Sequence, residues 1–145
     1  MRFVNDKVLV GALELCDLPM LAITELNVRV DTGAATSSLH VDNIEEFEKD
    51  GENCVRFDIH PDIHDVRRIV RREAKVEAIR KVKSSTATRE RRYVITTTLV
   101  MAGMQWPIQL TLTDRSEMTY LMLLGREAMQ GKLIVDPEKE YYLSE

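Results

Sequence analysis

Asp31-Thr32-Gly33 closes the apolar-alternating run Leu26-Asn27-Val28-Arg29-Val30, which sets a carboxylate on a tight turn at the end of a predicted strand. About ninety residues later a second apolar run, Leu121-Met122-Leu123-Leu124, ends in Gly125-Arg126. The chemistry open to such a carboxylate is water activation against an amide bond, with a second carboxyl group supplying the complementary proton. Like charges about 3 Å apart cannot both ionise comfortably, so one member keeps its proton and the other loses it. The ionised group takes a proton from water while the protonated group hydrogen-bonds the scissile carbonyl. The resulting pKa values belong to the pair. Only one Asp-Thr-Gly occurs in the chain, so a two-carboxylate site needs two copies related by a twofold axis.

Taken alone the tripeptide is weak evidence. At ordinary residue usage it arises by chance in about one in thirty chains of this length, and the bland alternative is a turn with an Asx-type hydrogen bond. Context favours chemistry: a strand precedes it, Ala34 and Thr36-Ser37-Ser38-Leu39 follow it, and Leu-Leu-Gly-Arg comes late. Thr32 can lock such a turn by hydrogen bonding, and Gly33 lets backbone approach closely.

The elements around these residues read mostly as strands. Val8-Leu9-Val10 and Leu13-Glu14-Leu15 are short runs, broken at Asp17-Leu18-Pro19, and Ile23 to Val30 leads into the turn. Thr36 to Val41 resumes a strand. The acidic stretch Asn43 to Glu52, with Asp50-Gly51, reads as a loop or a short helical turn. Cys54 to Ile59 is a strand stopped by His60-Pro61-Asp62. Between Asp65 and Lys83, Val66, Ile69, Val70 and Ala74 fit a helix face, but Val76, Ala78 and Val82 alternate; the expectation is a loop, then a strand from Lys75. That strand and Arg91 to Met101 form a long hairpin around the polar tip Ser84 to Thr88. Ala102-Gly103 turns into a strand from Trp106 to Leu112, and Asp114 to Thr119 reads as a loop. Tyr120 to Leu124 is wholly apolar, as a strand buried on both faces should be. Arg126 to Gln130 forms one helical turn ended by Gly131, and Leu133 to Val135 is a last strand. The sum is a single, predominantly antiparallel β domain over residues 1–145 with one short helix near the C-terminus.

Composition supports an ordinary soluble domain, with 44% hydrophobic and 30% charged residues. Cys16 and Cys54 match no metal spacing and are too few for a disulfide framework, so reduced thiols in the cytoplasm are expected. Val8 to Leu13 lacks the cleavage site of a signal peptide, and no run reaches a membrane span. His60-Pro-Asp-Ile-His64 lacks a zincin spacing and reads as a turn carrying two surface histidines. No Gly-x-x-x-x-Gly-Lys-Ser/Thr loop occurs, so neither a metal nor another cofactor is expected. The net charge of −4 conceals segregation: Arg67 to Arg92 holds eleven basic and three acidic residues, leaving nine basic and twenty-one acidic elsewhere. Such a segment can attract an anionic partner or can simply be a solvated strand face. It lacks the interleaved aromatics of a nucleic-acid surface, apart from Tyr93. The methionines read as core fillers, and Trp106 as an anchor in the core or at a dimer interface.

The segment Val28 to Leu39, with Leu123-Leu124-Gly125-Arg126, resembles the retropepsins, single-lobe homodimeric aspartic peptidases. A retropepsin-like family associated with ATP-grasp ligases, often labelled ATP-dependent zinc protease, is similar over nearly the whole chain. The similarity runs through Val10-Gly11, Leu18-Pro19, Val82 to Ser85, Arg92 to Thr98, Trp106-Pro107-Ile108, Leu110 to Arg115, Glu117-Met118, Met122 to Met129 and Val135-Asp136-Pro137. The resemblance implies an all-β, closed acid-protease barrel and makes Asp31 the catalytic carboxylate. Thr32 would interlock across a homodimer and Gly33 would line the substrate groove beside Ala34 and Ala35. The hairpin with Ser84 and Ser85 would sit where retropepsins carry a flap, and Leu124, Gly125 and Arg126 would support the site. Family context implies substrates bearing ligase-added glutamates, which Arg89, Arg91 and Arg92 could pair, and an ATP-grasp ligase as a partner. Two positions depart from the pattern. Ala35 stands where retroviral enzymes place an Asp paired with the Arg126 equivalent, and the hairpin tip has no glycine, which implies a more rigid lid. The rival to a peptidase is a peptide-binding module without catalysis that presents glutamylated tails to a ligase.

Overall fold

The computed structural model describes residues 1–62, 67–83, 89–114 and 120–144, with the backbone alone described for 82, 83, 89 and 90. The first strands are β1 (Phe3–Val4), β2 (Lys7–Val10), β3 (Leu13–Leu18) and β4 (Ile23–Val30), with a 3₁₀ turn at Pro19–Leu21. The middle of the chain gives β5 (Ser37–Lys49), β6 (Glu52–Ile59), β7 (Val70–Lys75), β8 (Ala78–Lys83) and β9 (Arg89–Met101). Then come β10 (Met104–Asp114), β11 (Met122–Leu124), the short helix α1 (Arg126–Met129) and β12 (Leu133–Val135). No helix among the described residues is long and apolar enough to cross a membrane.

Six of the described strands close into a barrel in the order β10-β9-β3-β4-β11-β5, with β5 returning to pair β10. Its inside is filled by alternate residues of each strand, among them Leu18, Leu26, Val28, Leu39, Leu99, Leu110, Met122 and Leu124, all essentially inaccessible. The predicted pattern of β10 holds, because Trp106, Ile108, Leu110 and Leu112 are buried. Trp106 is a core residue: its indole N–H donates to the carbonyl of Ala128 at 2.9 Å and pins α1 to the barrel. Antiparallel pairing predominates, with parallel pairs at β10–β5, β11–β4 and β12–β2. The 101–104 connection has positive φ at Ala102 and Gly103, the paired left-handed geometry of a tight hairpin.

Two expectations change. Asn43 to Glu52 is neither loop nor helical turn: β5 continues to Lys49 and returns as β6 through Asp50 and Gly51, whose φ values are 52° and 77°. Asp-Gly favours this two-residue hairpin, and its acidic strand is stabilised by cations opposite it rather than by apolar alternation. The strand expected from Lys75 begins at Val70 and is two strands. β7 pairs β6 from Ile59↔Val70 to Cys54↔Lys75. The chain then steps over at Val76 and Glu77, whose N–H groups donate to Asn53 and Val94, before β8 pairs β9. Val70 and Ala74, which also fit a helix face, share one face of β7. The expected β8–β9 hairpin is present in register from Ala78↔Val94 to Lys83↔Arg89. Its tip at 84–88, the expected loop at 115–119 and His64 lie outside the described residues.

Candidate active site

β4 and β5 are consecutive in the chain yet do not pair. β11 lies between them, parallel to β4 (Leu124↔Val30) and antiparallel to β5 (Met122↔Leu39). The turn after β4 must therefore bridge two strand spacings, roughly 9–10 Å, and it does so across the end of β11. Asp31 stands at the start of that bridge.

The bridge is held almost wholly by backbone groups. Asp31 N–H donates to the carbonyl of Leu124 at 2.8 Å, and Val30 N–H to Ala12 at 2.8 Å. Gly33 N–H donates to Asp31 Oδ1 at 3.0 Å, so the Asx bond of an ordinary turn is also what orients this carboxylate. Asp31 Oδ2 has no hydrogen-bond partner among the described residues, and the side chain is half-buried. The carbonyls of Ala34 and Ala35 accept the N–H groups of Arg126 and Glu127 at 2.8 and 3.0 Å. The loop after β11 thereby clasps the loop after β4.

Gly125 shows why a glycine follows the apolar run. A Cβ there would lie 2.6 Å from both the carbonyl carbon and oxygen of Thr36 and 3.0 Å from the oxygen of Ala34. The Gly125 N–H donates to Ser37 Oγ at 3.0 Å, and Thr111 Oγ1 donates to the Ser37 carbonyl at 3.1 Å. Arg126 faces no Asp at position 35, which is alanine. Its guanidinium instead donates to the carbonyl of Thr32 at 2.9 Å, replacing an ion pair by a hydrogen bond to the turn itself. The Thr32 side chain is exposed, beside an open, largely apolar groove of about 520 Å³ lined by Arg126, Met129, Leu133 and Val135.

The structure thus brings together Asp31, Thr32, Gly33, Ala34, Ala35, Leu124, Gly125 and Arg126. Arg91 and Arg92 are not part of that cluster. They line a separate cavity of about 480 Å³ with Asn43, Tyr93 and Asp114. β10 pairs Leu110 with Ser37 and Asp114 with Val41, so this cavity is displaced roughly 13 Å along the strands from the turn. Arg91 is already engaged, 3.5 Å from Glu46 and over the Tyr93 ring, and Tyr93 Oη donates to the same Glu46 carboxylate. That bond and burial push the Tyr93 hydroxyl pKa up. Ser84 and Ser85 lie outside the described residues, as does the side chain of Arg89.

The segregation of charge along the chain is offset in part by pairs across neighbouring strands. Arg71 pairs with Asp58 at 2.8 Å and Glu45 at 3.0 Å, Arg56 with Glu73 at 3.0 Å, and Lys75 with Glu52 at 3.4 Å. Asn43 and Arg71, both hydrogen-bonded to Asp58, hold its carboxyl below the ordinary value. His60 is buried rather than on the surface, because Asp42 on the neighbouring strand places Oδ2 2.6 Å from its Nε2. No group of three or more His, Cys, Asp or Glu able to hold a metal occurs among the described residues.

Two contributors were not assigned from sequence. Ser37 looked like context for the turn and is the buried acceptor for Gly125. Glu14, read as part of the short run Leu13-Glu14-Leu15, is completely buried. Its signal was its place on β3, where Glu14, Cys16 and Leu18 share a face.

Nearly the whole chain has relatives. It is 46% identical over 139 residues to a probable alpha-L-glutamate ligase of Parasynechococcus marenigrum, a match covering 96% of this chain and 30% of that protein. A protein of the same name from Shewanella pealeana is 43% identical over 141 residues, covering 97% and 31%. The chain thus spans about three tenths of the length of these curated relatives. A crystal structure of a Legionella pneumophila protein of unknown function superposes with a TM-score of 0.78 at 27% identity, covering 94% of this chain and 98% of that one. Residues 9–145 match the family described as RimB-like, retropepsin-like aspartic endopeptidase RimB, and the chain belongs to that family.

Proposed function

We propose that this chain is an aspartic-type peptidase whose working unit is a homodimer, with one Asp31 from each copy at the shared axis. The observation that carries this reading is the braced turn, which leaves Oδ2 of a half-buried carboxylate without a hydrogen-bond partner among the described residues. In the reaction a water between the two carboxyl groups attacks the scissile carbonyl carbon. The ionised Asp31 takes a water proton while the protonated one gives its proton to the carbonyl oxygen. Collapse of the resulting diol breaks the C–N bond, the amine leaving with a proton returned from the carboxyl pair. Neither step requires a metal ion or a nucleotide.

The substrates we favour are proteins bearing glutamate tails, cut at peptide or glutamyl amide bonds in the cytoplasm. The relatives named as glutamate ligases support that choice, since enzymes that add and remove one group are used together, and an ATP-grasp ligase is the natural partner. The same names also favour a second reading, a non-catalytic module that holds such tails for a ligase. Asp31→Asn separates the two. The substitution keeps the oxygen that Gly33 N–H needs, so fold and peptide binding should persist. Hydrolysis of an oligoglutamate-tailed peptide should fall by about a thousandfold or more. Hydrolysis unchanged by Asp31→Asn overturns the peptidase reading, and a strictly monomeric active species by light scattering overturns the shared site. If Asp31→Asn leaves all cellular function intact, the binding module is the better account. Charge reversal at Arg89, Arg91 and Arg92 together should weaken turnover of the same peptide; unchanged binding and turnover would remove these residues from the substrate site.

A further inference from the structure

We infer that Glu14 is a positioning residue for the Asp31 carboxylate, acting through the Gly11–Ala12 backbone. This rests on the peptidase reading for its consequence in turnover, but its structural core does not.

Glu14 is a carboxylate with no accessible surface, and among the described residues its three hydrogen-bond partners are all backbone N–H groups. Oε2 accepts from Gly11 at 2.7 Å and from Tyr142 at 3.0 Å, while Oε1 accepts from Leu143 at 3.2 Å. One side chain therefore fastens two segments that are far apart in sequence. A buried charge is tolerable where several donors satisfy it, and each donor left over would be costly.

Both segments bear on the same short loop. Ala12 N–H donates to Lys139 at 2.8 Å, and Tyr141 N–H donates to Leu13 at 2.7 Å. Gly11 is so tightly covered by the C-terminal segment that a Cβ would lie 2.4 Å from the Lys139 oxygen. The Tyr141 hydroxyl adds a bond to Asn27 on β4 at 2.5 Å. The loop thus fixed presents the carbonyl of Ala12 to Val30 N–H, the residue immediately before Asp31. Asp31 is held from the β11 side by Leu124, and the end of β4 is held from the opposite side by Ala12. Gly125 and Ser37 secure the first anchor; Glu14 secures the second.

Only an acceptor on both oxygens satisfies this arrangement. Glu14→Gln keeps the shape but turns one oxygen into an NH2 donor facing an N–H donor. In this variant, hydrogen exchange of the Val30 and Asp31 amides should quicken at least about tenfold, together with Tyr142 and Leu143. The amides of Val55 and Phe57, in the distant sheet, should be unchanged. With a cleavable peptide, kcat should fall about tenfold with KM within about twofold. Faster exchange confined to Tyr142 and Leu143, with Val30 and kcat unaltered, reduces Glu14 to an anchor for the C-terminal segment and overturns the proposal. Should Glu14→Gln fail to fold, Asn27→Ala loosens the same clamp from the β4 side. Protection of Val30 retained there, despite loss at Tyr141, overturns the proposal equally. A wild-type protein without hydrolytic activity defeats the peptidase reading while leaving the exchange test of Glu14 intact.

Discussion

β5 passes through two regions built on different physics. At its start, Ser37 sits within a buried junction of hydrogen bonds, where Gly125 has no room for a single added carbon. At its far end, Glu45 and Glu46 lie among arginines at exposed positions, where ion pairs add to the backbone ladder of β5 and β6. The first region fixes atoms because buried donors and acceptors lose about twice as much when unpaired as they gain when paired. The second fixes the strands only loosely, since exposed ion pairs contribute about 0–1 kcal/mol each. A site that must place a carboxylate belongs in the first kind of region, and a surface extension can be made of the second.

The sharpest way to break this contrast is Gly125→Ala. It forces the Thr36 and Ala34 backbone to move and should cost about 3 kcal/mol, read from urea unfolding; a loss below about 1 kcal/mol would mean the junction yields. Ser37→Ala is gentler. It leaves the buried Gly125 N–H without its acceptor and should cost about 2 kcal/mol, with turnover reduced if the turn shifts. In the charged sheet, Asp58 supplies a pH test. Its folded-state pKa is depressed, first by Asn43 and then by Arg71, so its stabilisation is present above the ordinary carboxylate value and is lost as pH falls through the lower folded value. Asp58→Asn should therefore lower stability at neutral pH and flatten the acid side of the urea-midpoint profile. An unchanged acid limb would show that Asp58 is not the group responsible. Smallest of all should be Lys75→Ala, which removes a pair 3.4 Å long between half-exposed groups and should change stability by about 0.5 kcal/mol or less. A loss several times larger would show that the extension is as tightly coupled as the junction.

The same contrast explains what could be read in advance. Within the barrel, β10 alternates because one of its faces is buried and β4 does so in part, so both were visible as patterns, while β2 and β12 showed as short apolar runs. The acidic half of β5 was misread because both its faces carry charge and its partners, Arg56, Arg71 and Arg91, lie 11 to 45 positions away. Asp50-Gly51 was its one local signal. Likewise Glu14 shows only as a charge among apolar neighbours until the C-terminal segment that it fastens is folded against it.

By itself the sequence determined the local geometry: a carboxylate on a turn after a strand, a glycine at the end of a later apolar run, and hairpins at Ala102-Gly103. These depend on φ preferences and burial alternation within a few residues. Only the tertiary structure decided that β11 would lie between β4 and β5, that Arg71 would meet Asp58 and Glu45, and that Ser37 would accept from Gly125 and Glu14 from Gly11 and the C-terminal segment. Those outcomes depend on which distant donors and acceptors meet when the core closes, and no local propensity encodes the meeting.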